Sequence, residues 1–307
     1  MAFVVVAIHT HPQNSCSIVW IRELLTNIFD IAVPFFFVTS GFFIWNKICD
    51  ASKEEKILRL KGWIKKTIRL YLLWTLIYIP FTIYGFYTDK LSLAKSLIVF
   101  FRNFLLVGEN YLSWPLWYLL AMLVAACIIY IMVKCNFKGR TMCFVGIIFA
   151  LIGYCLDKGI IPSDVYFSLF KTTRNGFFVG IQYILIGMLI ASKGIIKSPK
   201  ILFAILVVSF LFHAFGYKLA KFALIYSFFS LVLQINLKRN NNLYRNLRLT
   251  STIVYFVHML WMGLITILFP NTLSPILSFS IVAILSMATA VFVIKRQDIY
   301  VVKLLFK

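Results

Sequence analysis

The sequence predicts an all-α membrane protein that crosses the bilayer about ten times, with both termini in the cytoplasm. The chain has 307 residues, of which 62% are hydrophobic, and its mean hydropathy is +0.91. Apolar stretches of about 20 residues, the length that crosses a bilayer as a helix, recur along it. Those stretches are far longer than the roughly 10-residue alternating strands of an outer-membrane barrel. We therefore expect one membrane domain over residues 1–307.

Charge and cysteine content exclude several classes of protein. The net charge of +21 would suggest a nucleic-acid partner for a soluble protein, but lysine and arginine also accumulate in the cytoplasmic loops of membrane proteins. No soluble segment interleaves basic and stacking aromatic side chains, so we expect membrane lipid and not nucleic acid as the partner. The six cysteines form neither a Cys-x-x-Cys pair nor a Cys/His cluster. We therefore expect no structural disulfide and no metal site.

The first predicted helix is short. Ala2–His9 gives only about 12 Å of helix, whereas the hydrocarbon core is about 30 Å thick. We therefore expect that the true start of the protein lies upstream and that this helix is incomplete. Residues 10–25 are predicted to be an outer loop, and a second helix follows over Thr26–Trp45, with Asp30 and Pro34 inside it.

The next part of the chain decides the topology. Residues 47–66 repeat apolar and basic side chains at helical spacing, which predicts an amphipathic helix on the cytoplasmic surface. Helix 3 follows over Thr67–Tyr87. Residues 91–107 are open to two interpretations, because Lys95 and Arg102 interrupt an otherwise apolar segment. If the segment does not span, the later inner segments hold 14 Lys and Arg and the later outer loops hold 5. Spanning would reverse that ratio, so we interpret it as an outer re-entrant or interfacial helix.

Seven further helices complete the predicted topology. They cover Pro115–Val133, Thr141–Leu156, Gly176–Ser192, Ile201–Phe215, Leu219–Leu237, Thr250–Phe269 and Pro275–Ile294. The tail from Lys295 to Lys307 is predicted to lie inside. No segment outside the helices is long enough to fold as a separate domain.

Histidines within the apolar helices are the first candidates for chemistry. His9 lies near the outer end of helix 1. An ionisable group at membrane depth is costly and commonly faces an internal cavity, and imidazole accepts and returns a proton near neutral pH. The alternative is a histidine that only caps the helix. Asp30 lies on the same outer half, where it would orient the imidazole, pair with a cation or simply reach water. His258, near mid-membrane in helix 9, is either functional or a hydrogen-bonded core residue.

Two cations mark a candidate donor site on the cytoplasmic side. Lys66 and Arg69 lie where helix 3 leaves the cytoplasm. Side chains of this kind bind the phosphates of a nucleotide-bearing donor. The alternative is that they anchor the helix at the inner leaflet.

A third group of candidates lies at the outer ends of helices 4 and 6. Glu109, Trp117 and Tyr118 suit a sugar site, although tryptophan is also typical of the aromatic belt of a membrane protein. Arg174 and Asn175 precede helix 6. Because a cation at a helix N-terminus opposes the helix dipole, we expect Arg174 to have a partner. That partner is an anionic ligand or an internal carboxylate.

At these residues the chain resembles the acyltransferase-3 family of bacterial integral membrane acyltransferases. The matching pieces are Ala7–Thr10, Val33–Phe42, Lys65–Leu70, Trp114–Leu119, Thr173–Phe178 and Ser251–His258. Each piece is weakly specific alone. Together they occur in the family's order across nearly the whole chain.

The resemblance implies an enzyme of the bacterial cell membrane. Such an enzyme takes an acyl group, commonly acetyl, from acyl-CoA and passes it to a hydroxyl of a cell-surface or lipid-linked glycan. Acyl-CoA is then a co-substrate, and no cofactor is bound permanently. His9 matches the family's helix-1 histidine. Lys66 and Arg69 match its paired basic motif, with Lys66 in place of the usual arginine, which keeps the charge but loses a bidentate fork. The family also has an arginine ahead of the histidine, at a spacing that falls upstream of Met1.

Two other functions stay open at the level of sequence. One is a transporter or flippase for a polysaccharide intermediate. The other is the membrane half of an uptake or sensing system whose soluble enzyme is a separate chain. The sequence contains no Walker, GxSxG or HExxH motif, which disfavours an ATP-driven pump and a metalloprotease.

Overall fold

The protein is described by a computed structural model that covers residues 1–235, 241–270, 272–296 and 298–306. Within these residues every regular element is a helix and there is no strand. The chain divides into two compact units. The terminal unit consists of Met1–Val33 and Ile196–Lys307, and the central unit consists of Pro34–Ile195.

The described residues form fourteen α-helices. In chain order they are α1 (Ala2–Thr10), α2 (Val19–Phe29), α3 (Ala32–Ile48), α4 (Lys53–Thr88), α5 (Leu93–Arg102), α6 (Leu116–Lys134), α7 (Gly139–Asp157), α8 (Asp164–Phe170), α9 (Ile181–Lys193), α10 (Pro199–Ala214), α11 (Ala220–Gln234), α12 (Asn241–Leu268), α13 (Pro275–Lys295) and α14 (Tyr300–Phe306). A 3-10 turn covers Pro12–Ser15, and π-helical turns cover Asn103–Val107 and Gly176–Gly180.

Seven helical segments in the described part of the chain are long and apolar enough to cross a membrane. They are Val19–Ile48, Lys53–Thr88, Leu116–Lys134, Gly139–Asp157, Gly176–Lys193, Asn242–Leu268 and Pro275–Lys295. Two shorter apolar helices, α10 and α11, lie where the sequence predicts the seventh and eighth spans. The all-α class and the multi-pass character are therefore confirmed. The count of about ten and the cytoplasmic placement of both termini stay predictions.

In the terminal unit, α12 packs along α13 and α10 packs along α11. Helix α1 contacts both α12 and α13, and α2 contacts α1 and α10. The indole of Trp261 on α12 donates a hydrogen bond of 3.0 Å to the hydroxyl of Thr289 on α13. The N–H of Ile276 donates to the Ser15 hydroxyl at 3.2 Å, which ties the start of α13 to the 3-10 turn. These contacts fix the position of α1 against α12.

In the central unit, α6 is the helix around which the others are arranged. It packs along α4, along α9 and against the π-helical turn that precedes α9, and α7 packs along α9. Helices α3 and α9 cross so closely that glycine is required at both sides of the crossing. A Cβ atom at Gly41 would overlap the backbone of Ile184, and one at Gly187 would overlap the backbone of Val38.

Residues 10–25 are not the outer loop that the sequence predicts. They hold the 3-10 turn and most of α2, which begins at Val19. The apolar residues of this stretch recur at helical spacing, and the polar residues between them suggested a loop. A turn at Asp30 and Ile31 separates α2 from α3. Pro34 then falls in the first turn of α3, where its missing N–H costs no hydrogen bond.

The predicted amphipathic segment, from Lys53 onward, and the predicted helix 3 form one continuous helix. Helix α4 has 36 residues and is about 54 Å long at 1.5 Å per residue. It begins at the Ser52 cap, whose hydroxyl accepts from the N–H of Glu55 at 3.2 Å. The predicted division at Lys66 and Thr67 followed a change in polarity, and a change in polarity does not end a helix.

The boundaries of the remaining predicted elements shift more modestly. The segment 91–107 forms α5 and the π-helical turn after it, and it is not among the candidate spans. Its position at the outer surface stays a prediction. Helix α12 begins at Asn241, well before the predicted Thr250. The predicted end of helix 8, at Leu237, lies outside the described residues.

Candidate functional site

Two of the histidines that the sequence singles out are neighbours in the terminal unit. His9 lies in the last turn of α1 and is half-buried. His258 lies on α12 and is fully buried. The centroids of the two imidazole rings are 5.4 Å apart, and the ring planes are tilted by 30°. The packing of α1 against α12 therefore brings together two residues that most of the chain separates in sequence.

The hydrogen bonding of His258 defines its neutral tautomer. Its Nδ1 atom lies 3.1 Å from the carbonyl oxygen of Val254. A carbonyl oxygen only accepts, so Nδ1 carries the proton of the neutral ring and Nε2 carries a lone pair. Among the described residues, no hydrogen-bond partner reaches Nε2. A buried acceptor in this state is uncommon, and it supplies a proton-accepting atom close to His9.

Helix α1 ends between His9, which is half-buried, and His11, which is exposed. His11 adopts the left-handed conformation, with φ of 51°, and its N–H donates to the carbonyl of Ala7 at 2.9 Å. The Thr10 hydroxyl donates to the carbonyl of Val6 at 2.8 Å. These bonds end the helix one residue after His9. His11 is exposed, as expected of a residue that only terminates the helix.

Asp30 pairs with a cation, which was one of the three roles that the sequence left open. Its carboxylate lies 2.6 Å from the ammonium nitrogen of Lys221 on α11. Nε2 of His213 on α10 lies 3.6 Å from the same oxygen. Sequence reasoning did not find these partners. The available signal was that Asp30 and Lys221 are charged residues within or at the start of predicted apolar helices.

The two candidate donor residues lie on α4. Lys66 and Arg69 are both exposed, whereas Thr67 is buried. Residues three apart share one face of a helix, so the two positive charges point the same way. Their role in binding a donor stays a prediction.

In the central unit, Trp117 and Asn175 line a cavity of about 260 Å³. The other lining residues are apolar or glycine: Leu105, Leu106, Val107, Leu120, Ala121, Val124, Phe170, Gly176 and Phe177. The Arg174 guanidinium lies over the Trp117 ring, 5.8 Å from its centroid. The side-chain oxygen of Asn175 accepts from the N–H groups of Phe177 and Phe178 at 3.0 and 3.1 Å and so caps the π-helical turn.

Tyr118 and Glu109 do not line this cavity. The Tyr118 ring is buried against Phe37, with centroids 4.5 Å apart. Its hydroxyl lies 3.3 Å from that of Ser40 on α3. Glu109 is half-buried. Burial raises the pKa of its carboxyl above the ordinary value, and the nearby Arg174 acts to lower it.

Sequence reasoning missed a buried chain of polar groups beside Glu109. The Arg102 guanidinium donates to the Asn103 side-chain oxygen at 3.2 and 3.0 Å. The Asn103 amide donates to the side-chain oxygen of Asn110 at 3.1 Å, and the N–H of Asn110 donates to the Ser113 hydroxyl at 2.8 Å. Arg102 appeared in the sequence only as an interruption of an apolar segment. That interruption was the signal of a buried polar network.

Comparison with known proteins identifies the family. A family model described as an acyltransferase domain, of the acyltransferase-3 type, matches residues 1–295. The chain is 33% identical over 197 residues to an amino-acid racemase of Enterococcus faecalis, a match that covers 61% of this chain and 26% of that protein. It is 27% identical over 253 residues to a serine/alanine racemase of Enterococcus gallinarum, covering 76% of this chain and 34% of that protein.

The chain therefore spans about a quarter to a third of the length of these curated relatives. No solved structure matches it at a significant level. Because the family model covers nearly all of the chain, this protein belongs to the acyltransferase-3 family.

Proposed function

We propose that the protein transfers an acyl group, acetyl in the simplest case, from acyl-CoA to a hydroxyl of a cell-surface or lipid-linked glycan, in the plasma membrane of a bacterium. The observation that carries the proposal is the contact between His9 and His258, whose ring centroids are 5.4 Å apart. Ester formation needs a group that takes a proton from the attacking hydroxyl, and histidine is the residue most often used for this step. The protein places the His9 ring at the end of α1, next to the ring of His258.

In the proposed reaction, His9 is the general base. It takes the proton of the acceptor hydroxyl as the oxygen attacks the thioester carbonyl. The new C–O bond forms, the C–S bond breaks, and the proton passes from the imidazolium to the sulfur of the departing CoA. His258 is the positioning residue, because its Nε2 lone pair accepts a hydrogen bond from the protonated neighbour or from a water between the rings. A site that excludes bulk water protects the thioester from hydrolysis.

Other residues are proposed to bind the two substrates. Lys66 and Arg69 share an exposed face of α4 and supply charge for the phosphates of CoA. Trp117 and Arg174, which stack on each other, present an aromatic face and a donor fork to the acceptor, and Glu109 accepts from its hydroxyls.

Three further residues are proposed as supports. Tyr118 follows Trp117 in sequence, packs against Phe37, and has its hydroxyl 3.3 Å from that of Ser40. Asn175 caps the π-helical turn before α9. Asp30 supports the terminal unit through its ion pair with Lys221.

The test of the proposed activity compares surface glycans from the parent strain and a deletion strain by mass spectrometry. Loss of an acetyl- or succinyl-sized mass from an otherwise intact polymer supports the transferase. Loss of the whole polymer supports the alternative of a transporter or flippase. Membrane vesicles supplied with acetyl-labelled acetyl-CoA on the cytoplasmic side provide the direct assay, because only a transferase moves the label to the glycan.

A second candidate function follows from the names of the relatives. Two proteins named as racemases contain a segment similar to this chain. In this function the chain is a membrane half that carries an amino acid such as serine or alanine and works with a soluble enzyme on a separate chain. Uptake of labelled serine by vesicles, together with co-purification of a soluble partner, would support this function. Transfer of label from acetyl-CoA without serine uptake would reject it.

A further inference from the structure

The cavity of the central unit has positive charge at its rim. Arg174 stacks on the wall residue Trp117, and Lys171 directly follows the wall residue Phe170. Arg102 directly precedes the π-helical turn that supplies three wall residues, and α8 packs against that turn. Three cations therefore belong to the segments that line this apolar cavity.

These cations are held close to one another despite their repulsion. Burial lowers the pKa of Lys171, the charge of Arg102 lowers it further, and Glu109 acts in the opposite direction. Asp157 accepts a hydrogen bond of 2.7 Å from the hydroxyl of Thr173, the residue before Arg174. Glu109 acts on both Lys171 and Arg174, so the three cations outnumber the two carboxylates, Glu109 and Asp157.

The rim cations are not where the positive-inside bias would place them. Arg102, Lys171 and Arg174 all belong to segments that the sequence predicts on the outer side, where lysine and arginine are scarce. Arg102 is also fixed in place by its two hydrogen bonds to Asn103. A cation that a buried network fixes on the predicted outer side is consistent with an anionic ligand.

The cavity itself suits hydrocarbon. Its volume of about 260 Å³ is below the roughly 300–1,000 Å³ of a typical small-molecule pocket, so it takes part of a chain and not a whole ligand. Among its lining residues, Asn175 is the one with a polar side chain besides the Trp117 indole. Leu105 is 62% exposed and Phe177 is 37% exposed, so the wall continues into surface that a bilayer would cover, and a chain can leave the cavity toward lipid.

We propose that this cavity and its rim form a binding site for a lipid phosphate. The phosphate lies on Arg174, Lys171 and Arg102, and the first part of the hydrocarbon chain enters the cavity. Arginine forks and a lysine ammonium are the side chains that bind phosphate best. Both a polyprenyl phosphate and an anionic phospholipid have this chemistry. The site shares Trp117 and Arg174 with the proposed acceptor site and so refines that proposal, as the place of a lipid phosphate. It uses residues of the central unit alone, so binding there does not require the chemistry proposed for His9.

The test measures binding to the purified full chain in a neutral detergent by native mass spectrometry. The probes are dodecyl phosphate, dodecanol, inorganic phosphate, a polyprenyl monophosphate, phosphatidylglycerol and phosphatidylcholine. We expect dodecyl phosphate to bind at least about tenfold more tightly than dodecanol or inorganic phosphate, because it satisfies both parts of the site. Preference between the polyprenyl phosphate and phosphatidylglycerol identifies the natural source of the phosphate.

Variants test the two parts of the site separately. We expect the double variant Lys171→Gln, Arg174→Gln to weaken dodecyl phosphate binding by roughly tenfold or more, because two charge-assisted contacts are lost. Lys158→Gln removes an exposed lysine from the start of the same connection and serves as the matched control, with no expected change. Leu106→Trp fills the cavity and is expected to weaken dodecyl phosphate while leaving the weak binding of inorganic phosphate unaltered.

Three results would overturn the proposal. They are equal binding by the double variant and the parent, equal binding of dodecanol and dodecyl phosphate, and inorganic phosphate binding as tightly as dodecyl phosphate. If Leu106→Trp does not accumulate, Leu120→Phe repeats the test from the α6 side of the cavity. His9→Ala is expected to keep full lipid binding, so failure of the transferase proposal and failure of the lipid site give different results.

Discussion

The two units keep their ionisable groups in opposite settings. In the terminal unit, His258 is fully buried and its ring lies 5.4 Å from that of the half-buried His9. In the central unit, Lys171 and Arg174 are exposed at the rim of an apolar cavity. Buried groups that contact one another are suited to passing a proton, whereas exposed cations beside hydrocarbon are suited to recognising an amphiphilic anion. We therefore propose proton chemistry for the terminal unit and ligand recognition for the central unit.

Replacing His9 should have the largest effect on transfer. His9→Ala removes the proposed general base, and general acid–base catalysis contributes on the order of 10²–10⁴-fold to a rate. We expect transfer from labelled acetyl-CoA to fall by about that factor while the amount of protein in the membrane stays the same. His11→Asn is the matched control, since asparagine tolerates the left-handed conformation and His11 is exposed two residues away.

Unchanged transfer by His9→Ala would remove the terminal unit from the chemistry. Equal losses in His9→Ala and His11→Asn would point instead to a general disturbance at the end of α1. In either case the division of roles between the two units would have to be abandoned.

Two substitutions of His258 distinguish its ring nitrogens. The amide of glutamine lies close to the position of Nε2, whereas that of asparagine lies close to Nδ1. If the Nε2 lone pair positions the proton of His9, His258→Gln should retain roughly tenfold more activity than His258→Asn, the equivalent of one hydrogen bond of about 1.4 kcal/mol. The pH–rate profile should also change, because His9 then loses its neighbour's lone pair.

A purely structural role for His258 predicts a different pattern. Both variants would then lower the amount of folded protein in the membrane, and the activity per folded molecule would keep the parent's pH profile. That result would leave His9 as the sole proton carrier of the terminal unit.

The sequence predicted the two histidines singly but not their contact. Each was identified because an ionisable side chain lies in an apolar helix, and that signal is local. The contact depends on how α1 packs against α12, which no spacing within either segment encodes. Asp30 illustrates the same limit, because its partner Lys221 lies on α11 and only tertiary packing joins them.

Helix boundaries failed for a related reason. The α2 helix was missed, and α4 was divided, because both predictions placed a boundary where polarity changes. Hydrogen bonding of the backbone ends a helix at a cap or a turn, as Ser52 and the turn before Pro34 do here. The membrane class, by contrast, depends on summed hydrophobicity over many residues and is insensitive to such errors.

Variants of the Asp30 ion pair test whether this residue of the terminal unit stabilises the fold or takes part in the reaction. The Lys221 side chain is 18% exposed and that of Asp30 is 58% exposed, so Asp30→Asn leaves a largely buried charge uncompensated. We expect the stability to fall by about 1 kcal/mol, the upper end for partly exposed pairs, visible as a lower apparent melting temperature. The double variant Asp30→Asn, Lys221→Met should recover most of the loss, because no unpaired charge remains.

Activity measurements on the same variants sharpen the comparison. Transfer per folded molecule should stay within about twofold of the parent in both variants, since the pair acts through stability. A loss in Asp30→Asn as deep as that in His9→Ala, at unchanged melting temperature, would place Asp30 in the proton pathway.

The smallest effect is expected from Glu109 in the central unit. Its pKa in the folded protein is raised above the ordinary 4.5 by burial, against the lowering effect of Arg174 and Lys171. The folded state therefore holds this proton more tightly than the unfolded chain does, so the contribution to stability is present below pH 4.5 and is lost as the pH rises through the raised value. Glu109→Gln does not titrate, and its melting temperature should decline less than the parent's between about pH 4.5 and pH 7.

The same variant reports on the lipid site. Removing a negative charge beside Lys171 and Arg174 should tighten dodecyl phosphate binding at neutral pH by roughly threefold, a modest value because both cations are exposed and screened. Glu54→Gln, which changes an exposed carboxyl in the first turn of α4, should alter neither the pH dependence nor the binding. If Glu109→Gln weakens dodecyl phosphate binding instead, the carboxyl itself contacts the ligand. The rim would then recognise a hydroxyl-bearing headgroup and not the phosphate charge alone.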